Sequence, residues 1–189
     1  MPAQFPKDLP TLETPRLILR KLRMNDAENM FEYAQDRELG LSGLWLPYTQ
    51  LQESIDDLAE VQEMYAKGNF WDWAVEHRAD HKMIGRLGLH QYHAQDNRAD
   101  LGYAFNRSYW GQGYGTEAAR RVVQFGFEIL DLHRISASVL PDNAGSIGVL
   151  TKIGMQFEGV KRDFTAIRGH HEDLHSYSIL RPEWDETSA

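Results

Sequence analysis

One α/β domain is what this sequence predicts, and three observations predict it. Leu101-Gly102-Tyr103-Ala104-Phe105 alternates like a strand and runs through a glycine-rich turn into an amphipathic helix. Further runs alternate with period two, while others carry apolar residues at helical spacing. No internal repeat, low-complexity tract or linker interrupts them, and 189 residues suffice for one core of useful size.

The elements follow in order. Residues 1–13 read as a proline-punctuated arm, 14–181 as the single domain and 182–189 as a tail. Arg16 to Leu22 alternates as a first strand. Asn25 reads as a helix N-cap, with Glu28 three residues on completing a capping box, and Ala27, Met30, Phe31 and Ala34 as the buried stripe. Gly40 to Tyr48 is irregular yet too apolar for a solvated linker. A second helix runs from about Gln52 to Lys67 and stops at Gly68 and Asn69. Its outer face, Glu53, Asp56, Asp57, Glu60 and Glu63, reads as a solvated face that would also attract a basic substrate.

Sheet dominates the middle. Phe70 to Glu76 puts Trp71, Trp73 and Val75 on one face, and the polar turn 78–82 leads to Met83 to His90, giving an antiparallel hairpin. A bend at Asp96-Asn97-Arg98 returns the chain into the strand at 101–105. The helix after the glycine turn buries Ala119, Val122, Val123, Phe127 and Leu130. Ile135, Ala137 and Val139 form another strand, and Ala144 to Ile153 a short helix ended by Gly154. Phe157 to Phe164 and Leu174 to Leu180 complete about seven strands and about four helices.

Composition excludes several function classes. A hydrophobic share of 42% with 25% charged residues describes an ordinary globular chain. A formal charge of −8 argues against nucleic-acid binding and favours a cationic substrate or partner. There is no cysteine, which removes disulfides, thiolate metal sites and an acyl-cysteine intermediate. The first residues lack an apolar leader core and no later run is long enough to span a bilayer, so neither membrane insertion nor export is expected and the location expected is cytoplasmic.

The turn carries the chemistry. In Tyr109-Trp110-Gly111-Gln112-Gly113-Tyr114-Gly115-Thr116-Glu117-Ala118, a strand gives way to a helix through glycines. Such a turn aims backbone N–H groups and the positive end of the helix at one point, a seat for phosphate or pyrophosphate. No Gly-Lys-Ser/Thr follows, and the spacing is G-x-G-x-G, so neither the triphosphate loop nor the dinucleotide fingerprint is present. A turn that merely packs strand on helix is the alternative.

In their order these pieces resemble the GNAT superfamily of acetyl-CoA-dependent N-acetyltransferases, and within it the RimJ/RimL type. Thr14-Pro15-Arg16-Leu17-Ile18-Leu19-Arg20 resembles the family's opening strand, Asp100-Leu101-Gly102-Tyr103 its acidic-x-Gly-Tyr strand, and Trp110 to Ala118 its coenzyme loop. Pro141 to Ser146 with Lys152-Ile153-Gly154-Met155 resembles its Asn-x-x-Ser helix, and Gly169, Asp173 and Tyr177 keep the spacing of its final strand. The resemblance implies a mixed, mostly antiparallel sheet with a cleft between the central strands, and an acetyl-CoA-dependent N-acetyltransferase with no metal.

What it implies for residues is specific. Tyr103, Ala104 and Phe105 would hydrogen-bond the pantetheine arm as a missing strand would. Trp110, Gly111, Gln112, Gly113, Tyr114, Gly115 and Thr116 would hold the pyrophosphate, and Asn143 would touch the arm or cap its helix. Trp110 stands where the family often has Gln or Arg, removing a charge but no backbone donor. A backbone N–H near Tyr103 to Phe105 would stabilise the oxyanion. The acid tyrosine that many relatives place seven residues after the Asn is here Leu150. Ser146 is the candidate donor to the departing thiolate, or only a first-turn residue. Asp100 matches a Glu that serves as base in part of the family, and Asp173 is the second candidate; either could instead orient substrate through water.

His171, Asp173 and His175 share one strand face and His90-x-x-His93 adds a pair, a spacing open to metal that the resemblance does not require. The acceptor expected is a cationic primary amine, a protein N-terminus or a small amine, reached from the side of Trp45, Tyr48, Asp100 and Asp173. An α-amine, with a reference pKa of about 8 against about 10.4 for lysine, is the easier nucleophile. A non-catalytic acyl-CoA-binding module is the alternative of another class, and the sequence leaves the oligomeric state open, a homodimer included.

Overall fold

Short reversals between apolar strands build most of the sheet. The computed structural model describes residues 8–68 and 70–188, so residues 1–7 of the expected arm, the expected helix stop Asn69 and the last residue lie outside the described residues. The strands are β1 (Leu12–Glu13), β2 (Leu17–Arg20), β3 (Trp71–His77), β4 (Lys82–His93), β5 (Arg98–Phe105), β6 (Arg134–Val139), β7 (Gln156–Ile167) and β8 (His170–Leu180). They form one sheet in the order β1-β2-β3-β4-β5-β6-β8-β7. Every neighbouring pair is antiparallel except β5–β6. That pair is parallel because a helix, α4 (Tyr114–Glu128), carries the chain across between them.

The other helices are α1 (Ala27–Ala34), α2 (Arg37–Ser42), α3 (Leu51–Lys67), α5 (Ala144–Lys152) and α6 (Arg181–Ser188). The period of two sorts the side chains into two layers. Trp71, Trp73 and Val75 of β3 face α4 and pack in one cluster with Ala118, Val122 and Phe125. Ala74 points the other way, into a second cluster with Met30, Tyr33, Leu58 and Val61 of α1 and α3. Trp73 meets Phe125 edge-on at 5.2 Å, and its indole N–H donates to the Pro10 carbonyl at 2.8 Å, fastening the chain before β1.

Several elements differ from the sequence reading for local reasons. Asn25 does not cap a helix: it lies inside a 3-10 turn, Met24–Asp26, and the Asp26 carboxylate takes the Arg23 N–H at 2.8 Å instead. The second helix begins at Leu51, where Glu53 accepts the Gln50 N–H at 3.0 Å. α2 forms in the stretch before Gly43, with Asp36 accepting from the N–H groups of Glu38 and Leu39. Leu12–Glu13 pairs with β2, and Trp184 of α6 is buried 5.9 Å from the Phe127 ring. Among the described residues no helix is long and apolar enough to cross a membrane.

A buried ion cluster ties the sheet to the first turn. Arg20 reaches both Asp26 oxygens at 2.8 Å and Glu76 at 2.6 Å, and Asp26 is only 3% exposed. Removing one member leaves a guanidinium short of its partner in a dry site, which typically costs about 3–5 kcal/mol. Asp26→Ala should therefore lower unfolding free energy by about that amount in a urea titration, and a loss under about 1 kcal/mol would contradict this.

Candidate active site

The sheet opens at one place. β5 and β6 pair only through Arg98–Arg134, Ala99–Ile135 and Asp100–Ser136. Beyond that β5 continues with β4 to Phe105, and β6 continues with β8 to Val139, so their far halves diverge. The Asn106 N–H donates to the Ile84 carbonyl at 2.8 Å, on the β4 side. Alternation then turns the backbone N–H and C=O of Tyr103 and Phe105 toward the open side. The Phe105 carbonyl there accepts the Trp110 indole N–H at 2.8 Å.

The glycine turn closes the top of this opening. Gly111 and Gly113 have φ of +73° and +84°, the left-handed region that costs any other residue roughly 1–2 kcal/mol. Gly113 is the N-cap of α4, and its carbonyl accepts the Glu117 N–H at 3.0 Å. Helix geometry leaves the N–H groups of Tyr114, Gly115 and Thr116 directed out of the helix start.

The turn is anchored to β2 by residues the sequence reading did not single out for it. Glu117 accepts from the Thr14 hydroxyl at 2.6 Å, the Arg16 N–H at 3.0 Å and Arg16 Nε at 2.6 Å. Burial acts to raise the Glu117 carboxyl, but these donors hold it below the usual carboxylate range. Arg16 Nη1 also donates to the Gln112 carbonyl at 2.9 Å, and its guanidinium lies 4.4 Å over the Tyr114 ring. The Thr14-Pro15-Arg16 motif was the available signal.

α5 forms the opposite wall. Asn143 accepts the Ser146 N–H at 2.9 Å as its N-cap, and Ser146 Oγ lies 2.7 Å from the Tyr103 hydroxyl across the opening. Burial pushes the Tyr103 phenol up to about 12, and the Ser146 contact pulls the other way. Leu150 is buried in the core. Together these walls enclose a groove of about 610 Å³. Tyr103, Ala104, Phe105, Trp110, Gly111, Gly113, Tyr114, Gly115, Thr116, Asn143 and Ser146 all line it. Gln112 does not; its amide turns back to the Ser108 carbonyl at 3.2 Å.

A second cavity of about 280 Å³ lies on the α1–α3 face and meets the groove at Trp45, Tyr103 and Ala104. Arg86 sits in it, with Nη1 at 2.8 and 3.1 Å from the two Asp57 oxygens and Nε at 3.0 Å from Asp72 Oδ2, which Nη2 also contacts. Tyr48 donates to Asp57 at 3.0 Å. Asp72 is fully buried; burial acts to raise its carboxyl, but Arg86 and His90 hold it below its ordinary value. Among the described residues, Asp72 Oδ1 and the Tyr33 hydroxyl are buried with no hydrogen-bond partner.

The expected side of approach is therefore half assembled. Trp45 and Tyr48 line the second cavity, and Asp57 belongs to an ion pair, not to a merely solvated face. Asp100 lines neither cavity; it shares its face of β5 with Gly102 and Ala104, and burial raises its carboxyl. Asp173 lines neither, and it accepts the Asp163 N–H at 2.8 Å. Asp72, Arg86 and Tyr33 were missed, and His90 was singled out only as half of a possible metal pair: an acid between Trp71 and Trp73 reads as solvent-facing when only one sheet face is taken as buried. His175 packs 5.1 Å from Phe157, and among the described residues no three His, Asp or Glu side chains are grouped to hold a metal ion.

Known proteins resemble this chain in sequence and fold. Residues 16–156 match the family described as acetyltransferase (GNAT) domain. The chain is 33% identical over 177 residues to the uncharacterised N-acetyltransferase YoaA of Bacillus subtilis, covering 92% of this chain and 98% of that one. It is 23% identical to the [ribosomal protein uS5]-alanine N-acetyltransferase of Escherichia coli, with 92% of each covered. A crystal structure of a GNAT-family acetyltransferase from Bacillus anthracis superposes with a TM-score of 0.81 at 27% identity, covering 92% of this chain and 99% of that one.

Gly113 gives the test of the turn. Gly113→Ala should weaken acetyl-CoA binding at least about tenfold (~1.4 kcal/mol) by calorimetry, since the left-handed turn and its open N–H groups must shift together. Unchanged affinity in the folded variant would remove the turn from the binding site.

Proposed function

The chain belongs to the GNAT acetyltransferase family, and from that premise we propose that it acetylates the α-amine of a protein or peptide N-terminus, as the RimJ/RimL type does. Acetyl-CoA is the co-substrate and supplies an acetyl group activated as a thioester. The groove suits it part by part. The open N–H groups of Tyr114, Gly115 and Thr116, with Arg16 beside them, suit a diphosphate, and the unpaired β5 edge suits an amide-bearing arm. Tyr103 and Phe105, whose backbone faces that edge, would offer an N–H to the developing oxyanion. Asn143 fixes the start of α5, and Ser146 would give a proton to the departing sulfur.

The observation that carries the acceptor reading is the junction of the two cavities at Tyr103 and Ala104. A donor in the groove and an amine in the second cavity would meet there through the gap between β5 and β6. With His90 neutral, the amine's cavity holds Asp57 and Asp72 against Arg86, one negative charge in excess. Asp72 Oδ1 and the Tyr33 hydroxyl are polar groups that a bound N–H donor would satisfy. Leu41, Leu44 and Leu46 are exposed around Trp45 and would give an apolar track to residues following the amine. The relative from Escherichia coli is described as acting on an alanine of ribosomal protein uS5, which supports the same acceptor class.

Proton removal falls to Asp100 in this reading. Burial makes its carboxyl a better proton acceptor, and it lies on the β5 face that carries Gly102 and Ala104 into the second cavity, so it would act through water. Asp173 is engaged at the β7–β8 end and is left a structural part.

A competition measures the acceptor preference. A peptide with a free N-terminal alanine should be acetylated at least about tenfold faster than the same peptide blocked there and carrying lysine, because far more of its amine is neutral near pH 7. Faster reaction of the blocked peptide would overturn the α-amine preference, and reaction of neither would move the acceptor to a small amine.

A further inference from the structure

We infer that Tyr103 and Ser146 form a two-hydroxyl relay, in which Tyr103 replenishes the proton that Ser146 passes to the departing sulfur. The inference rests on the assignment of Ser146 given above and adds the residue that makes it workable. An alkyl hydroxyl alone is a poor acid, whereas the Tyr103 phenol, even pushed up to about 12 by burial, is a far better one. The two oxygens lie 2.7 Å apart, and the phenol is also 3.3 Å from the Ser146 carbonyl.

Position favours this pair over other groups nearby. Tyr103 lines both cavities, and its hydroxyl points into the groove toward Ser146. It reaches Ser146 from β5, across the gap, and the Asn143 cap fixes the start of the helix that carries Ser146. Leu150 is buried and apolar. Lys152, the other polar residue of α5 on the groove, is six positions from Ser146, roughly 9 Å along the helix. A phenol is protonated at neutral pH and burial raises this one further, so the relay starts loaded.

The step balances. The amine nitrogen forms its bond to the acetyl carbon, the carbon–sulfur bond breaks and the electron pair stays on sulfur. Ser146 gives its Oγ proton to that sulfur and takes the Tyr103 proton. The amine's surplus proton passes through water to Asp100 and from there to solvent, and the phenolate regains one from solvent.

Four proteins test it: the parent, Tyr103→Phe, Ser146→Ala and the double variant. Each single change should lower kcat by about 10–100-fold while changing the acetyl-CoA KM less than about threefold. The double variant should be no worse than about twofold below the slower single, because the two groups act as one unit. A readout that needs no acceptor is ultraviolet titration of the thiol of bound coenzyme A. Each single variant should raise that thiol's pKa by about one unit, a tenfold loss of thiolate stabilisation. If Ser146→Ala is impaired and Tyr103→Phe is not, Ser146 draws its proton from water and the relay is overturned while the Ser146 assignment stands. If Ser146→Ala is silent, that assignment fails and the relay with it. Losses that multiply in the double variant, or a bound thiol that titrates identically in parent and Tyr103→Phe, also overturn it.

Discussion

The parallel pairing of β5 with β6 lasts three residue pairs, and the site depends on its ending there. A sheet normally satisfies every backbone donor and acceptor of its inner strands. Here the neighbours pull apart: β5 stays with β4 to Phe105, and β6 stays with β8 to Val139. The gap exposes the polar edge of β5 between two covered faces. It also connects those faces, so a groove on the α4–α5 side and a cavity on the α1–α3 side can share Tyr103 and Ala104.

Much of what frames the gap is held by groups some distance away in sequence. Glu117 fastens the start of α4 to Thr14 and Arg16, more than a hundred residues upstream. Tyr114 adds a contact with His77 Nε2 at 2.9 Å, and Tyr109 donates to Asp80 at 2.6 Å, so the β3–β4 hairpin braces the same turn. On the other face, Arg86 of β4 gathers Asp72 of β3 and Asp57 of α3 into one cluster. A cluster buried to this degree is weak evidence for stability, and its unpartnered Asp72 Oδ1 and Tyr33 hydroxyl fit a binding role better.

Much of this was legible because the sequence states it locally. Trp71, Trp73 and Val75 alternate onto one core face as their period requires, and the glycine turn sits between a strand and a helix as its composition requires. Leu12–Glu13 was not legible, since two residues carry no period. Asp72 was hidden by the same alternation that revealed its neighbours: the sheet is covered on both faces, and only the distant Arg86 and Asp57 reveal which acids are buried. Asp100 and Asp173 were correctly placed on strands, but which side of the gap a strand residue faces depends on register. In β7–β8 that register shifts between Lys161 and Thr165, beside the Asp163 N–H that Asp173 binds.

We propose that acetyl-CoA occupies the gap and completes the sheet there, with its phosphates at the start of α4. Amide hydrogen exchange with and without coenzyme A reads this directly, because the N–H groups involved belong to named residues on both walls. The account predicts slowed exchange at Tyr103, Phe105, Tyr114, Gly115 and Thr116 when the coenzyme is bound. Protection confined to the cavity under α1 and α3, with those five amides unchanged, would contradict it.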